Sequence, residues 1–188
     1  MSILSKSELR EHSSSMLKAS RDSSVRFSGT TKSTVFLSHK HSDKTEVRFA
    51  RDLLNGLGAN AYIDWLDPDM PEVTKGETAI KIKEKINSND KFILLATENA
   101  IDSKWCNWEL GYGDAQKHKK DKIALLPLRE DNRSWQGNEY MEIYKVIEYE
   151  DGRSKYSDGR SIPAGYYIFS PSKDGTRNLT PLKLWLES

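Results

Sequence analysis

Short apolar runs alternate along the chain with segments whose apolar residues recur every three or four positions. The short runs are rich in β-branched and aromatic residues, which is typical of strands, whereas the wider spacing is typical of amphipathic helices. Between residues 34 and 128 the predicted order is therefore strand, helix, strand, helix, strand, helix, strand. The strands are predicted at 34–38, 60–65, 92–96 and 122–128, and the helices at 43–57, 78–86 and 103–117.

The predicted strands are apolar on both faces, as strands are when helices cover a parallel sheet on each side. Because crossovers between parallel strands are right-handed, few topologies remain. We therefore predict an α/β fold with a flavodoxin-like, doubly wound parallel sheet of strand order 2-1-3-4-5. Gly58 is expected to end the first helix of this unit as a C-cap.

The regions on either side of this unit are less regular. Residues 1–33 form a Ser-rich N-terminal arm, for which a short helix and a disordered leader both fit the sequence. Ser5 and Glu8 have the spacing of a capping box. Residues 34–188 are expected to form one domain. Its parts are a core at 34–128 and a strand-rich C-terminal part at 129–188, with strands at 146–150 and 166–169 and a helical turn at 181–186.

Composition excludes several classes of protein. A net charge of +1 and the lack of a Lys/Arg-rich run argue against nucleic acid as a partner. Cys106 is the only cysteine, so no intramolecular disulfide can form and a reducing compartment fits best. No apolar run approaches the ~20 residues that span a bilayer, and we expect no secretory signal. We therefore expect a cytoplasmic protein without a membrane partner.

One predicted helix has an unusual face. Trp105, Trp108, Glu109 and Tyr112 fall at i, i+3, i+4 and i+7, and so they share one side of the helix. Burial of a carboxylate against indole rings is unfavourable unless the carboxylate is bonded or neutralised. The plain alternative is a half-exposed carboxylate without a role. Aromatics at this spacing are usually core, so we assign Trp108 and Tyr112 to the core or an interface and only Trp105 to a pocket.

The strand order brings two polar segments together. In doubly wound sheets ligands bind beyond the carboxyl ends of the strands, where the order reverses. Here that point lies between the first strand, which ends in Ser38-His39-Lys40-His41, and the third, which ends in Thr97-Glu98. The third strand leads into the helix with Trp105 and Glu109. We expect both segments to face one crevice.

These segments also carry a family resemblance, which covers about residues 34–128. Val35-Phe36-Leu37-Ser38-His39 resembles the first conserved box of TIR domains. The segment 64–76 stands where their long loop after the second strand lies, and Trp105-Cys106-Asn107-Trp108-Glu109-Leu110 resembles their W-C-x-x-E-L helix motif. In size the chain is similar to the small bacterial TIR proteins of Thoeris anti-phage systems.

The resemblance implies an enzyme that cleaves NAD⁺ as its substrate and needs no cofactor. Glu109 would be the catalytic residue, and the product would be ADP-ribose, a cyclic isomer or a conjugate. The resemblance also implies self-association through TIR–TIR contacts, here through the loop 66–76, and a signal to a separate effector protein. The substrate-binding residues would be Ser38, His39, Lys40, Asp64, Lys75, Gly76 and Trp105, with Lys40 or Lys75 at the diphosphate.

Other functions were weighed against this one. The runner-up is a non-enzymatic TIR scaffold or adaptor, and such proteins generally lack the motif carboxylate or its aromatic neighbour. His39 and His41, beside Asp43, could be metal ligands. Alternate residues of an extended segment point to opposite faces, so both cannot easily reach one ion without a turn, and we expect no metal. Cys106 has no base on its helix face and is expected to be a small buried thiol.

Overall fold

A central sheet contains the five parallel strands in the predicted order. The computed structural model describes residues 1–22, 32–71, 76–170 and 178–188. The strands are β1 (Leu4–Ser5), β2 (Thr34–Ser38), β3 (Asn60–Tyr62), β4 (Lys91–Ala96), β5 (Ile123–Arg129), β6 (Lys145–Glu150), β7 (Gly165–Ser170) and β8 (Asn178–Pro181). Their order is β3-β2-β4-β5-β6-β7-β8, with β3 to β6 parallel and β7 and β8 antiparallel to their neighbours. The flavodoxin-like order 2-1-3-4-5 is therefore confirmed.

Helices cover both faces of the sheet. They are α1 (Lys6–Asp22), α2 (Lys44–Gly56), α3 (Gly76–Ser88), α4 (Glu98–Ile101), α5 (Lys104–Lys117) and α6 (Leu182–Glu187). Helices α1, α2 and α6 contribute to one buried apolar cluster, and α3, α4 and α5 contribute to the other. Within the described residues, no helix is long and apolar enough to cross a membrane.

Alternation along the strands explains why both faces are apolar. Val35 and Leu37 of β2 lie in the first cluster, whereas Phe36 between them lies in the second. In β4 all six residues are buried, from Lys91 to Ala96. A strand buried on both sides has no polar face, which is why the continuous apolar run was informative.

The N-terminal segment forms a helix and joins the sheet. Ser5 Oγ accepts the Glu8 N–H at 3.2 Å, and the Glu8 carboxylate accepts the Ser5 N–H at 2.7 Å, which confirms the capping box. Strand β1 pairs with the end of β5, and Leu4 and Leu9 are buried in the first cluster. A disordered leader is therefore wrong for residues 6–22, while residues 23–31 lie outside the described part.

Three local features differ from the prediction. The strand predicted at 60–65 ends at Tyr62, because residues 64–66 form a 3₁₀ turn. Helix α4 and strand β8 were missed, since four residues are too few to show a period. Gly58 behaves as expected, with a φ of +96° just after α2.

Candidate active site

The last residue of β2 bonds to the second turn of α5. Ser38 Oγ donates a hydrogen bond to Glu109 Oε2 at 2.6 Å, and the two residues are 1% and 3% exposed. Helix α5 starts where the sequence predicted, because the Ser103 side chain accepts the N–H of Cys106. The contact places a buried carboxyl group at the point where the strand order reverses.

A glycine sets the distance between α5 and the sheet. A Cβ atom on Gly113 would lie 2.9 Å from a ring carbon of Phe92 in β4, closer than side chains tolerate. Helix α5 therefore packs directly on β4, with only a hydrogen atom on the helix side at this position. This close approach helps to hold Glu109, one turn earlier, against the end of β2.

Burial dominates the ionisation of Glu109. It raises the pKa of this carboxyl group from 4.5 to about 8, and nearby Asp64 acts in the same direction. The hydrogen bond from Ser38 and the proximity of His41 act in the opposite direction. Burial thus makes the charged form unfavourable, and a cation beside the carboxylate would favour it. A strongly shifted carboxyl group at a switch point is a candidate for catalysis.

Two histidines converge on one carboxylate beside this pair. His39 Nε2 lies 3.2 Å from Asp64 Oδ1, and His41 Nε2 lies 3.2 Å from Asp64 Oδ2. The two histidines reach the same carboxylate because a 3₁₀ turn begins at His41 and bends the chain, which an extended segment would not do. The three groups lie just beyond the carboxyl ends of β2 and β3.

The same contacts determine the charge of Asp64. Burial acts to raise the pKa of Asp64, but the close contacts with His39 and His41 outweigh burial and hold the pKa well below its usual range. The pKa of His41 is raised, chiefly by its bond to Asp64. Asp64 is therefore ionised at neutral pH, in contrast to Glu109.

The aromatic residues of α5 form a stacked series. The rings of Trp105 and Trp108 stack at 5.1 Å, and those of Trp108 and Tyr112 at 6.3 Å. All three are partly buried against the second cluster. Lys83 Nζ lies over both Trp108, at 5.7 Å, and Tyr112, at 5.1 Å. Trp108 and Tyr112 thus bind α5 to α3, whereas Trp105 at the end of the series has one face without a stacked ring in the described residues.

The remaining predicted residues are placed as follows. Lys40 stands between His39 and His41 in the sequence, and its side chain is half-buried. Gly76 is exposed and is the first residue of α3. Lys75 lies outside the described residues. Cys106 is a free, buried thiol whose pKa is raised by burial to about 11, as expected of an unreactive core cysteine.

One residue of this region was missed. Asp43 is 4% exposed and accepts hydrogen bonds from the side chains of Thr97 and Asn99, so it ties the end of β2 to the end of β4. In the sequence Asp43 precedes a helix and resembles an N-cap, yet its side chain makes no capping bond to α2. The polar Thr97-Glu98-Asn99 stretch after a buried strand was the available signal.

Comparison with known proteins identifies the family. The profile described as the TIR domain matches residues 35–161. The chain belongs to the TIR domain family. The match includes the first box, the helix with Glu109 and the start of the C-terminal part that follows β5.

Two curated TIR relatives carry names that describe an activity. The chain is 33% identical over 118 residues to the probable 3' cyclic ADP-D-ribose synthase ThsB' of Bacillus cereus, which covers 60% of this chain and 59% of the relative. It is 28% identical over 81 residues to the putative cyclic ADP-D-ribose synthase TIR2 of Cytobacillus dafuensis, which covers 42% of this chain and 21% of the relative. The alignments therefore span about three fifths of the first relative and one fifth of the second.

Proposed function

We propose that this TIR protein cleaves NAD⁺ at the bond between nicotinamide and ribose, with Glu109 as the catalytic carboxylate. The observation that carries the proposal is the 2.6 Å bond between Ser38 and Glu109. It holds a buried carboxyl group at the switch point of the sheet, where doubly wound folds bind their ligands.

The chemistry suits a single carboxylate. Nicotinamide leaves NAD⁺ as a neutral molecule because its ring nitrogen is already cationic, so no general acid is required. The ribose carbon becomes electron-poor, as it does in glycoside hydrolysis. A preorganised carboxylate beside this carbon stabilises the developing positive charge.

The shifted pKa fits this role. Burial of the Glu109 carboxylate raises its pKa to about 8. A bound nicotinamide ribosyl cation would supply the missing charge and favour the ionised form. The stabilisation is then largest where charge develops, which accelerates the reaction more than uniform substrate binding does. Since Ser38 occupies Oε2, we assign the ribose contact to Oε1.

The neighbouring side chains are assigned to the rest of the substrate. Trp105 would stack on a flat heterocycle with the face that its partner Trp108 does not cover. His39 and Asp64 would border the crevice with Ser38, and Lys40 would meet the diphosphate. Gly76, the first residue of α3, and Lys75, which lies outside the described residues, complete the proposed set of substrate-binding residues.

We propose a cyclic ADP-ribose as the product. Hydrolysis, cyclisation and transfer differ in the nucleophile that reaches the ribose carbon, and the names of the two relatives favour cyclisation. In cyclisation the C–N bond to nicotinamide breaks, a nucleophilic atom of the same ADP-ribose forms the new bond, and no water is consumed. The cyclic nucleotide would signal to a separate effector protein in anti-phage defence.

Product analysis tests this function. Purified protein is incubated with NAD⁺, and nicotinamide and the nucleotide product are measured by mass spectrometry. We expect equal amounts of nicotinamide and a product lighter than ADP-ribose by one water.

Glu109→Gln should reduce the rate by ~10²-fold or more, the scale for loss of a main electrostatic stabiliser. The same change at exposed Glu84 on α3 is the matched control and should leave the rate unchanged. Equal rates for Glu109→Gln and wild type would refute the assignment.

A further inference from the structure

The hydrogen bonding of His39 fixes the proton on its ring. Its Nδ1 lies 2.7 Å from the carbonyl oxygen of Leu37, and a carbonyl oxygen only accepts hydrogen bonds. Nδ1 therefore carries the hydrogen, and in the neutral ring Nε2 has a lone pair. Nε2 lies 3.2 Å from a carboxylate oxygen of Asp64, a contact that does not have hydrogen-bond geometry.

The contact between His39 and Asp64 is shielded from solvent. The side chain of His39 is 3% exposed, and among the described residues its buried Nε2 has no hydrogen-bond partner. A divalent ion bound to Nε2 and to the carboxylate would satisfy both groups.

The surrounding geometry favours a metal ion. One ligand atom from each of His39, His41 and Asp64 lies within 4.8 Å of the other two. A tetrahedral zinc ion with bonds near 2.0–2.1 Å separates its ligand atoms by about 3.3 Å. His39 Nε2 lies 3.2 Å from Asp64 Oδ1 and His41 Nε2 lies 3.2 Å from Asp64 Oδ2, so a small shift is needed for both to share an ion with one oxygen. The His41 side chain is 57% exposed and has room for that shift.

An outer shell already orients two of these ligands. The Leu37 carbonyl holds His39 in the tautomer that presents Nε2, which is the usual arrangement of a metal-binding histidine. The backbone N–H of Trp65 donates a hydrogen bond to Asp64 Oδ1 at 2.8 Å. The Trp65 ring packs edge-on against the His39 ring, with 4.4 Å between the ring centroids. The site thus has two oriented ligands, an apolar wall and a solvent-facing third ligand.

We propose that His39, His41 and Asp64 form a binding site for a zinc-class divalent ion. Two imidazoles and one carboxylate select borderline transition metals over Mg²⁺ and Ca²⁺, which prefer oxygen ligands alone. Three protein ligands leave the fourth tetrahedral position for water or another ligand. The ion would join the end of β2 to the turn after β3, beside the Ser38–Glu109 pair.

The site stands independently of NAD⁺ cleavage. It uses His39 and Asp64, which we also assigned to substrate contact, so an ion there would replace direct contacts by these side chains. The metal site is therefore tested by measuring metal binding directly and not by measuring turnover of NAD⁺.

Cobalt provides a direct spectroscopic probe. The untagged chain is treated with EDTA, exchanged into metal-free buffer at neutral pH and titrated with Co²⁺. We expect a visible d–d band of tetrahedral intensity that saturates at one equivalent and disappears when Zn²⁺ is added. Zn²⁺ should also raise the melting temperature of the metal-free protein, because the ion binds the folded state.

Variants assign the band to the three ligands. His41→Ala removes a largely exposed side chain, and Asp64→Asn keeps an acceptor for the Trp65 N–H. Both should weaken Co²⁺ binding at least about a hundredfold, since loss of even an outer-shell partner weakens it 10–100-fold. His118→Ala is the control, because His118 lies 3.6 Å from Asp114 in another exposed histidine–carboxylate pair.

The outcomes decide whether His39, His41 and Asp64 bind a metal ion. A band that survives in His118→Ala and is lost in His41→Ala and Asp64→Asn supports the metal site. Folded wild-type protein that shows no band, or a band that all three variants retain, overturns it.

Discussion

The Ser38 hydroxyl and the Glu109 carboxyl group, 71 positions apart in the chain, meet at 2.6 Å in the interior. This bond joins the end of a parallel strand to a helix that packs beside it. The hydroxyl lowers the pKa of Glu109, while the burial that surrounds both groups raises it by more. The balance leaves a carboxyl group that changes its charge near neutral pH.

The first prediction concerns the pH dependence of NAD⁺ cleavage. The ionised carboxylate is the proposed active form, and kcat/KM reports the pKa of the free enzyme. We therefore expect kcat/KM to rise with pH and to level off above about 8. Ser38→Ala removes a hydrogen bond that lowers this pKa, so its profile should shift to higher pH.

Ser88→Ala serves as the control for this profile. Ser88 is an exposed serine whose hydroxyl donates to the Lys85 carbonyl at the end of α3, far along the chain from the pair. Its profile should overlay that of wild type. A Ser38→Ala profile with an unchanged midpoint would show that the hydroxyl does not act on the catalytic group.

The second prediction concerns the stability of Glu109→Gln. Because the folded pKa is raised from 4.5 to about 8, the folded protein holds a proton that the unfolded chain loses. The associated stability is present below pH 4.5 and is lost as pH rises towards 8. Gln does not titrate, so the free energy of unfolding of the variant should increase relative to that of wild type over this pH range.

Denaturant unfolding at pH 5 and pH 8 measures this gain. We expect the free energy of unfolding of Glu109→Gln, relative to wild type, to increase by on the order of 3 kcal/mol between the two pH values. An active-site carboxylate that reduces stability is a familiar trade-off. A difference between variant and wild type that is independent of pH would contradict the raised pKa.

The topology was predictable because its signals are local. Phe92 to Ala96 form an unbroken apolar run, and Val47, Ala50, Leu53 and Leu54 recur at helical spacing, so each element could be recognised in isolation. Right-handed crossovers then restricted the order of the strands. Strand β1 has two residues and depends on its partner β5, so no local pattern announced it.

The site was predictable only in part. Glu109 was singled out because a carboxylate interrupts an aromatic stripe and because its helix resembles the TIR motif, and the structure buries it against Ser38. The convergence of His39 and His41 on Asp64 was not predicted, since it depends on a turn at His41 and on the early end of β3. In an extended segment His39 and His41 would point to opposite faces. Their contact with Asp64 is a tertiary contact between residues far apart in the chain, and no local sequence pattern predicts it.

The third prediction separates pocket from core at Trp105. Trp105 is half-buried, whereas Trp185 on α6 is 3% exposed and donates its Nε1–H to the Asp121 carbonyl. Trp185→Ala should reduce the free energy of unfolding by about 3–5 kcal/mol. Trp105→Ala should reduce it by about 1–2 kcal/mol, because less area leaves the core.

Activity gives the complementary measurement. Stacking of an aromatic ring on a base contributes about 1–3 kcal/mol, so Trp105→Ala should lower kcat/KM about tenfold or more. The rate is measured at a temperature where both variants remain folded. If Trp105→Ala were as destabilising as Trp185→Ala, the ring would belong to the core and its assignment to the pocket would fail.

The fourth prediction is that activity depends on self-association through the loop that follows β3. In the described part of this loop Asp67 accepts hydrogen bonds from Tyr62 Oη at 2.7 Å and from Lys85 Nζ at 2.6 Å. These bonds order the start of the loop before any partner arrives, which lowers the free-energy cost of docking. Leu66 beside them is 51% exposed and presents an apolar side chain next to the crevice.

Leu66 and Met70 are two apolar residues of this loop at which a charge could be introduced to disrupt self-association. Leu66 is the better choice. Met70 packs against the second buried cluster, so an aspartate there would place a charge against the core. Leu66→Asp changes only a surface side chain. Leu184→Asp, at a residue 57% exposed on α6, is the matched control.

A head-to-tail contact between identical chains is heterologous and makes activity depend on concentration. Specific activity of wild type and Leu184→Asp should rise with protein concentration, and Leu66→Asp should flatten that rise without a change in melting temperature. Light scattering on the same samples reports the assembly. Specific activity that stays constant over about two decades of concentration, with a monomer throughout, would exclude assembly as a requirement. The chain would then complete its site alone, and Ser38, Glu109 and Trp105 would have to suffice.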